Sequence, residues 1–116
     1  MRSKGDKKLP VFMISVVSRM LDVHPQTLRL YEKEGLVAPC RANRSRLYSQ
    51  EDVERIEMIL RLSRELGVNR AGVDIILRLR HKLEILQKEM DEMMQFLESD
   101  IREDFRKKLM RLFFED

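Results

Sequence analysis

From residue 13 onward the apolar positions recur mostly at spacings of three and four, the period of an α-helix rather than of a strand. Ser15 is placed to cap a first short helix carrying Val16, Val17, Met20 and Leu21 on its apolar side. Asp22-Val23 then reads as a tight turn into a second helix, with Pro25 at its first position and Gly35 just past its end. Leu28 and Tyr31 lie three apart on the inward face of that second helix, while Gln26, Arg29 and Lys33 share the outward face. Two short helices joined by a tight turn make a helix-turn-helix.

The helical period lapses at Leu36-Val37-Ala38-Pro39, which predicts extended chain. Cys40 to Tyr48 follows as a small hairpin turning at Asn43-Arg44-Ser45, with Arg41, Arg44 and Arg46 on its edges. No acid lies between Pro39 and Gln50, so three guanidiniums there repel one another unless something anionic sits against them. Beyond it, Ser49 with Asp52 three residues on is close to a capping box. The helix that this opens has Val53, Ile56, Ile59, Leu60 and Leu66 as its buried stripe and ends at Gly67. Asn69 then caps a further helix, in which Ala71 and Gly72 are small enough for another part of the chain to approach closely.

From Ile76 the spacing becomes regular. Ile76, Leu79, Leu83, Leu86, Met90, Met93 and Leu97 step by three and four alternately, a heptad seam of the kind that pairs with a second helix. Asp100 breaks the seam. After it Ile101, Phe105, Leu109, Leu112 and Phe113 form a second amphipathic face, which either packs onto a dimer or is offered to another protein. The expected fold is thus mainly α: a winged helix-turn-helix with a small β wing, followed by a coiled-coil dimerisation helix. Its parts are a mobile basic tail over 1–11, a winged helix-turn-helix domain over 12–66, a linker and coiled-coil helix over 67–99, and an amphipathic segment over 100–116.

Charge sharpens this picture. Residues 1–70 carry 14 Lys and Arg against 9 Asp and Glu, whereas residues 71–116 carry 9 against 11. A basic half beside a slightly acidic half suits a nucleic-acid reader joined to a protein-contacting segment. An outward amide with two cations supplies the groups that read base edges and phosphates. The single cysteine, Cys40, forms no internal disulfide framework. No apolar run approaches the ~20 residues of a membrane helix, and no apolar secretory segment follows the basic start, so the expected location is cytoplasmic. His24, His81 and Cys40 lack metal-ligand spacing, and no phosphate-binding loop or nucleophile elbow occurs. Neither an enzyme nor a cofactor-binding protein is expected.

The run Thr27-Leu28-Arg29-x-Tyr31-Glu32-x-x-Gly35-Leu36 resembles the recognition helix of MerR-family transcription regulators. Arg46-Leu47-Tyr48 resembles the end of that family's wing, where an Arg and a Tyr grip the DNA backbone. The resemblance implies a dimer on double-stranded DNA, with candidate contacts from His24, Gln26, Thr27, Arg29, Lys33, Arg41, Arg44, Arg46 and Tyr48. The chain lacks the glycine often found in this wing. Leu30 replaces an aromatic that many members carry, so no phosphate contact is transferred to it. Metal-sensing members place cysteines near the end of the dimerisation helix, and residues 97–116 have none.

Within the family, His24-Pro25-Gln26-Thr27-Leu28-Arg29 together with Gly67-Val68-Asn69-x-Ala71-Gly72-Val73 is similar to the heat-shock repressors. That similarity implies an inverted-repeat operator ahead of chaperone genes and the chaperone DnaK as co-repressor. Two alternatives stand beside it: a nitrogen repressor of the same family, and a coiled-coil adaptor without DNA-binding function. Salt-dependent binding to duplex DNA separates the adaptor from the regulators.

Overall fold

A computed structural model describes residues 6–114. The expected basic tail falls partly outside that range, Lys4 included. The elements run β1 (Pro10–Met13), α1 (Ile14–Leu21), α2 (Pro25–Lys33), β2 (Cys40–Ala42), β3 (Ser45–Ser49), α3 (Gln50–Leu60), a π-helical turn (Arg61–Glu65), α4 (Arg70–Met94) and α5 (Ser99–Phe114). The chain divides into two compact units between residues 74 and 75.

In the first unit, β1 was not foreseen by the sequence pattern. It pairs antiparallel with β3, giving a three-stranded sheet in the order β1-β3-β2, and a bulge between Pro10 and Phe12 shifts the register. Ordered structure therefore reaches into the stretch expected to be tail. The Lys7 carbonyl also accepts from the Glu51 N–H at 2.9 Å, and the Lys7 ammonium meets Glu54 at 3.0 Å. Helix α1 starts one residue before Ser15, with Met13 as a cap lacking any side-chain hydrogen bond. Asp22 closes that helix in the left-handed region, at φ 51°. The turn between α1 and α2 is fastened by Val23 N–H to the Ser18 carbonyl (3.0 Å), by the Ser18 hydroxyl to the Val23 carbonyl, and by Arg64 to the Asp22 carbonyl (3.1 Å).

Val17, Leu28, Tyr48, Val53, Ile56, Ile59 and Val73 are the largest fully buried side chains, so α1, α2, β3 and α3 share one core. The capping box at α3 is complete: Asp52 N–H donates to the Ser49 hydroxyl at 3.0 Å, and the Asp52 carboxylate accepts from Ser49 N–H at 2.9 Å. The stripe predicted on α3 holds as far as Leu60 and then shifts. Leu62 is buried and Leu66 is 66% exposed. The cause is the π-helical turn, whose wider winding rotates the positions behind it, as the Leu66 N–H to Arg61 carbonyl bond (3.2 Å) shows. Asn69 caps α4 through Gly72 N–H at 2.8 Å, and a Cβ on Gly72 would lie 2.7 Å from Cγ1 of Val68.

In the second unit, α4 continues without a break through Arg80 and stops at Met94. Leu97, the last expected seam residue, therefore lies in the turn before α5 rather than on the helix. The turn tightens through Phe96 N–H to Met93 and Leu97 N–H to Met94. Arg102 reaches back to the carbonyls of Met94 and Leu97, both at 3.1 Å, satisfying acceptors that the helix end leaves open. No residue of α5 is buried. Leu79, Leu83, Leu86, Met93, Phe105 and Phe113 are all exposed by roughly half or more of their surface.

Candidate nucleic-acid interface

Helix α2 is fixed at both ends by its own sequence. His24 is its N-cap: Nδ1 of the imidazole accepts from Gln26 N–H at 3.0 Å, and Pro25 follows at the first helical position. At the other end Gly35, at φ +76°, closes a Schellman motif. Gly35 N–H bonds the Glu32 carbonyl at 3.0 Å, and Leu36 N–H bonds the Tyr31 carbonyl at 2.9 Å. Leu28 anchors the helix in the core and Tyr31 is half-buried. This leaves Gln26 and Lys33 exposed, with Arg29 and Thr27 partly so.

The hairpin forms where expected. Cys40 pairs with Leu47, Arg41 with Arg46 and Ala42 with Ser45. Asn43 and Arg44 form the turn with φ 50° and 70°, the two positive values that a type I′ hairpin turn requires. A glycine would normally relieve the second position; here Arg44 occupies it and is exposed at the tip. The bond from Arg55 Nε to the Leu36 carbonyl, 2.5 Å long, ties α3 to the segment between α2 and the wing.

The anion that the three arginines called for belongs to the chain itself. Glu32, on α2, accepts from Arg46 Nε at 2.5 Å and from Arg41 Nη2 at 3.1 and 3.3 Å. The side chains are 19% exposed for Glu32, 22% for Arg46 and 55% for Arg41. Partial burial opposes the charge on Glu32, but bonds and attraction from Arg46 and Arg41 outweigh it and hold the carboxyl below its ordinary value. A self-repelling wing is thus no argument for an external phosphate. Arg41 and Arg46 still keep donors that Glu32 does not use.

Tyr48 lies elsewhere than a surface contact would. It is fully buried, opposite Phe12 in the sheet, and its hydroxyl has no hydrogen-bond partner. Burial raises its pKa, reinforced by the charge on Glu32 and opposed by Arg46. His24, Gln26, Thr27, Arg29 and Lys33 come together on α2, and Arg41, Arg44 and Arg46 on the hairpin, within one unit. Sequence reasoning missed Glu32 as a member of this site. The available signal was an acid one turn beyond Arg29, ahead of a segment with cations and no acids.

A helix-turn-helix followed by a β wing, with cations and an amide along the second helix, defines the class of DNA-binding transcriptional regulators. The chain belongs to the MerR HTH family of regulatory proteins, whose profile it matches over residues 12–79. It is 43% identical over 79 residues to heat shock protein HspR of Streptomyces coelicolor, an alignment covering 67% of this chain and 52% of that protein. It is 35% identical over 107 residues to the HTH-type transcriptional regulator TnrA of Bacillus subtilis, covering 91% of this chain and 93% of the relative. To the HTH-type regulator GlnR of Bacillus anthracis it is 28% identical over 108 residues, 91% of this chain and 83% of the relative. The chain thus spans about half of the HspR protein but most of TnrA and GlnR. Among the described residues no helix is long and apolar enough to cross a membrane, and no group of three His, Cys, Asp or Glu residues is placed to hold a metal.

Proposed function

We propose that this protein is a dimeric, cytoplasmic repressor of heat-shock or chaperone genes that binds an inverted-repeat operator, and that it is not an enzyme. Helix α2 enters the major groove with Gln26 and Arg29 at base edges, while His24, Thr27, Lys33 and the wing arginines meet the backbone. The observation that carries this reading is the adjacency of the two surfaces: the outward face of α2 and the arginine-bearing hairpin lie side by side, joined through Glu32. Tyr48, whose side chain is fully buried, takes no part in this contact surface.

Dimerisation is supported by the apolar face that one protomer leaves uncovered. Ile76, Leu79, Leu83, Leu86, Met90 and Met93 share one side of α4, and most of them are exposed. An apolar stripe of this length on a soluble helix marks a contact surface. The heat-shock reading is supported by the 43% identity to HspR; DnaK as co-repressor is our further proposal, with the α5 face of Phe105, Leu109, Leu112 and Phe113 to receive it. A second reading, a GlnR-like nitrogen repressor, is favoured by a different observation: the TnrA alignment covers nearly all of both chains.

The test is operator affinity with and without DnaK, for the full-length protein and for one lacking residues 100–116. Enhancement of the full-length protein alone supports the DnaK contact and its place on α5. Enhancement of both forms moves the contact elsewhere, and enhancement of neither removes DnaK from the account.

A further inference from the structure

Arg41 and Arg46 face each other directly across the hairpin, and like charges so placed destabilise a two-stranded ribbon. One carboxylate resolves this, and it comes from the recognition helix rather than from the wing. Oε1 of Glu32 takes Arg46 Nε (2.5 Å) and the more distant approach of Arg41 Nη2 (3.3 Å), while Oε2 takes Arg41 Nη2 (3.1 Å). Each guanidinium has five N–H donors. Glu32 uses the Nε side of Arg46 and leaves both of its Nη groups; on Arg41 it uses Nη2 and leaves Nε and Nη1. The arginines are therefore held by one edge with the remaining donors unassigned to Glu32.

This arrangement has two opposite consequences for DNA. It fixes the distance and angle between the wing's phosphate donors and the base-reading face of α2, because the clamp joins the two elements at Glu32 itself. It also brings a negative charge toward a polyanion, which lowers affinity for any duplex regardless of sequence.

We propose that Glu32 is a positioning residue that determines sequence specificity: acting through Arg41 and Arg46, it holds the wing in register with the recognition helix and lowers affinity for random DNA. The proposal rests on the reading that α2 and the wing contact DNA. Glu32 itself touches no base. A wing in register lets phosphate contacts and base contacts form together only on the correct sequence. A wing released from α2 finds phosphates on any sequence, independently of what α2 reads.

The test uses the full-length protein, a duplex carrying a site that the protein itself enriches from a random-sequence pool, and a random duplex of equal length. Glu32→Gln removes the charge and keeps the size. It should raise affinity for the random duplex and narrow the ratio between the two duplexes roughly tenfold, the scale of one mismatched base pair. Glu32→Asp keeps the charge but withdraws the carboxylate by one methylene. It should narrow the ratio without raising random affinity. In a background of Arg41→Ala with Arg46→Ala, either substitution should change the ratio little, which a role limited to folding would not reproduce. Glu34→Gln, at the C-cap of the same helix but paired with Arg70, should leave the ratio as it is. An unchanged ratio in Glu32→Gln, or an equal change with and without the arginines, overturns the proposal. If removing both arginines leaves affinity and salt dependence untouched, the wing does not contact DNA, and the reading beneath the proposal falls with it.

Discussion

His24 holds the start of α2 through one nitrogen, since Nδ1 accepts the Gln26 N–H. Replacing it with Ala leaves that N–H to water and should cost about 1 kcal/mol, recovered by Asn or Asp, which cap by the same geometry. Thermal unfolding of the three variants measures it. Arg44 separates stability from binding. At φ 70° it carries a side chain where glycine is at ease, so Arg44→Gly should stabilise the hairpin. The same change removes a guanidinium from the wing tip and should flatten the slope of log affinity against log salt by ~0.9 if that residue meets a phosphate. Higher melting temperature with weaker, less salt-dependent binding is the expected pair of outcomes. Glu32 adds a pH dependence whose sign is fixed by its environment. A carboxyl held below its ordinary value stabilises the fold above its unfolded pKa, and that contribution is lost as pH falls through the lower, folded one. The melting-temperature advantage of wild type over Glu32→Gln should therefore shrink as pH falls below 4.5, the ordinary value of the carboxyl; an advantage independent of pH would contradict the ion-pair account.

At the scale of elements, the π-helical turn makes a sharp prediction. Leu62→Ala truncates a buried side chain and should cost about 2–5 kcal/mol, while Leu66→Ala should lie within about 0.5 kcal/mol of wild type. Denaturant unfolding of the two variants would reverse that order if Arg61–Glu65 were ordinary α-helix. Three helices were legible because each carries its own punctuation: Pro25 and Gly35 around α2, Ser49 with Asp52 before α3, Asn69 before α4. The π-helical turn was not, since the spacing from Val53 to Leu66 fits an unbroken helix and one extra residue per turn leaves no local mark. Strand β1 was hidden for another reason. Leu9 to Met13 is too short to show a period, and it becomes a strand only by pairing with β3 far along the chain. The candidate site was readable to the extent that cations and amides declare themselves by type. The clamp between Glu32, Arg41 and Arg46 was not, because it joins residues 9 and 14 positions apart through tertiary packing.

For the whole molecule, binding to an inverted repeat requires two copies. Leu86 sits at the middle of the uncovered α4 face, and Leu86→Asp would place a carboxylate in the seam, where an unpaired charge is costly. Sedimentation at micromolar concentration should show a wild-type dimer and a Leu86→Asp monomer; a wild type that sediments as a monomer contradicts the seam. Removing residues 100–116 tests the other apolar face, and loss of the dimer on truncation would place Phe105 and Phe113 in its core. The most direct measurement is a titration of the full-length protein against its enriched duplex and a random duplex at several salt concentrations, with Arg29→Ala beside wild type. Wild type should prefer the enriched duplex by about a thousandfold or more, with affinity for both falling steeply as salt rises. Arg29→Ala should bring the two affinities together while keeping most of the salt dependence. Equal wild-type affinity for both duplexes, at every salt concentration, would contradict a helix-turn-helix that reads sequence.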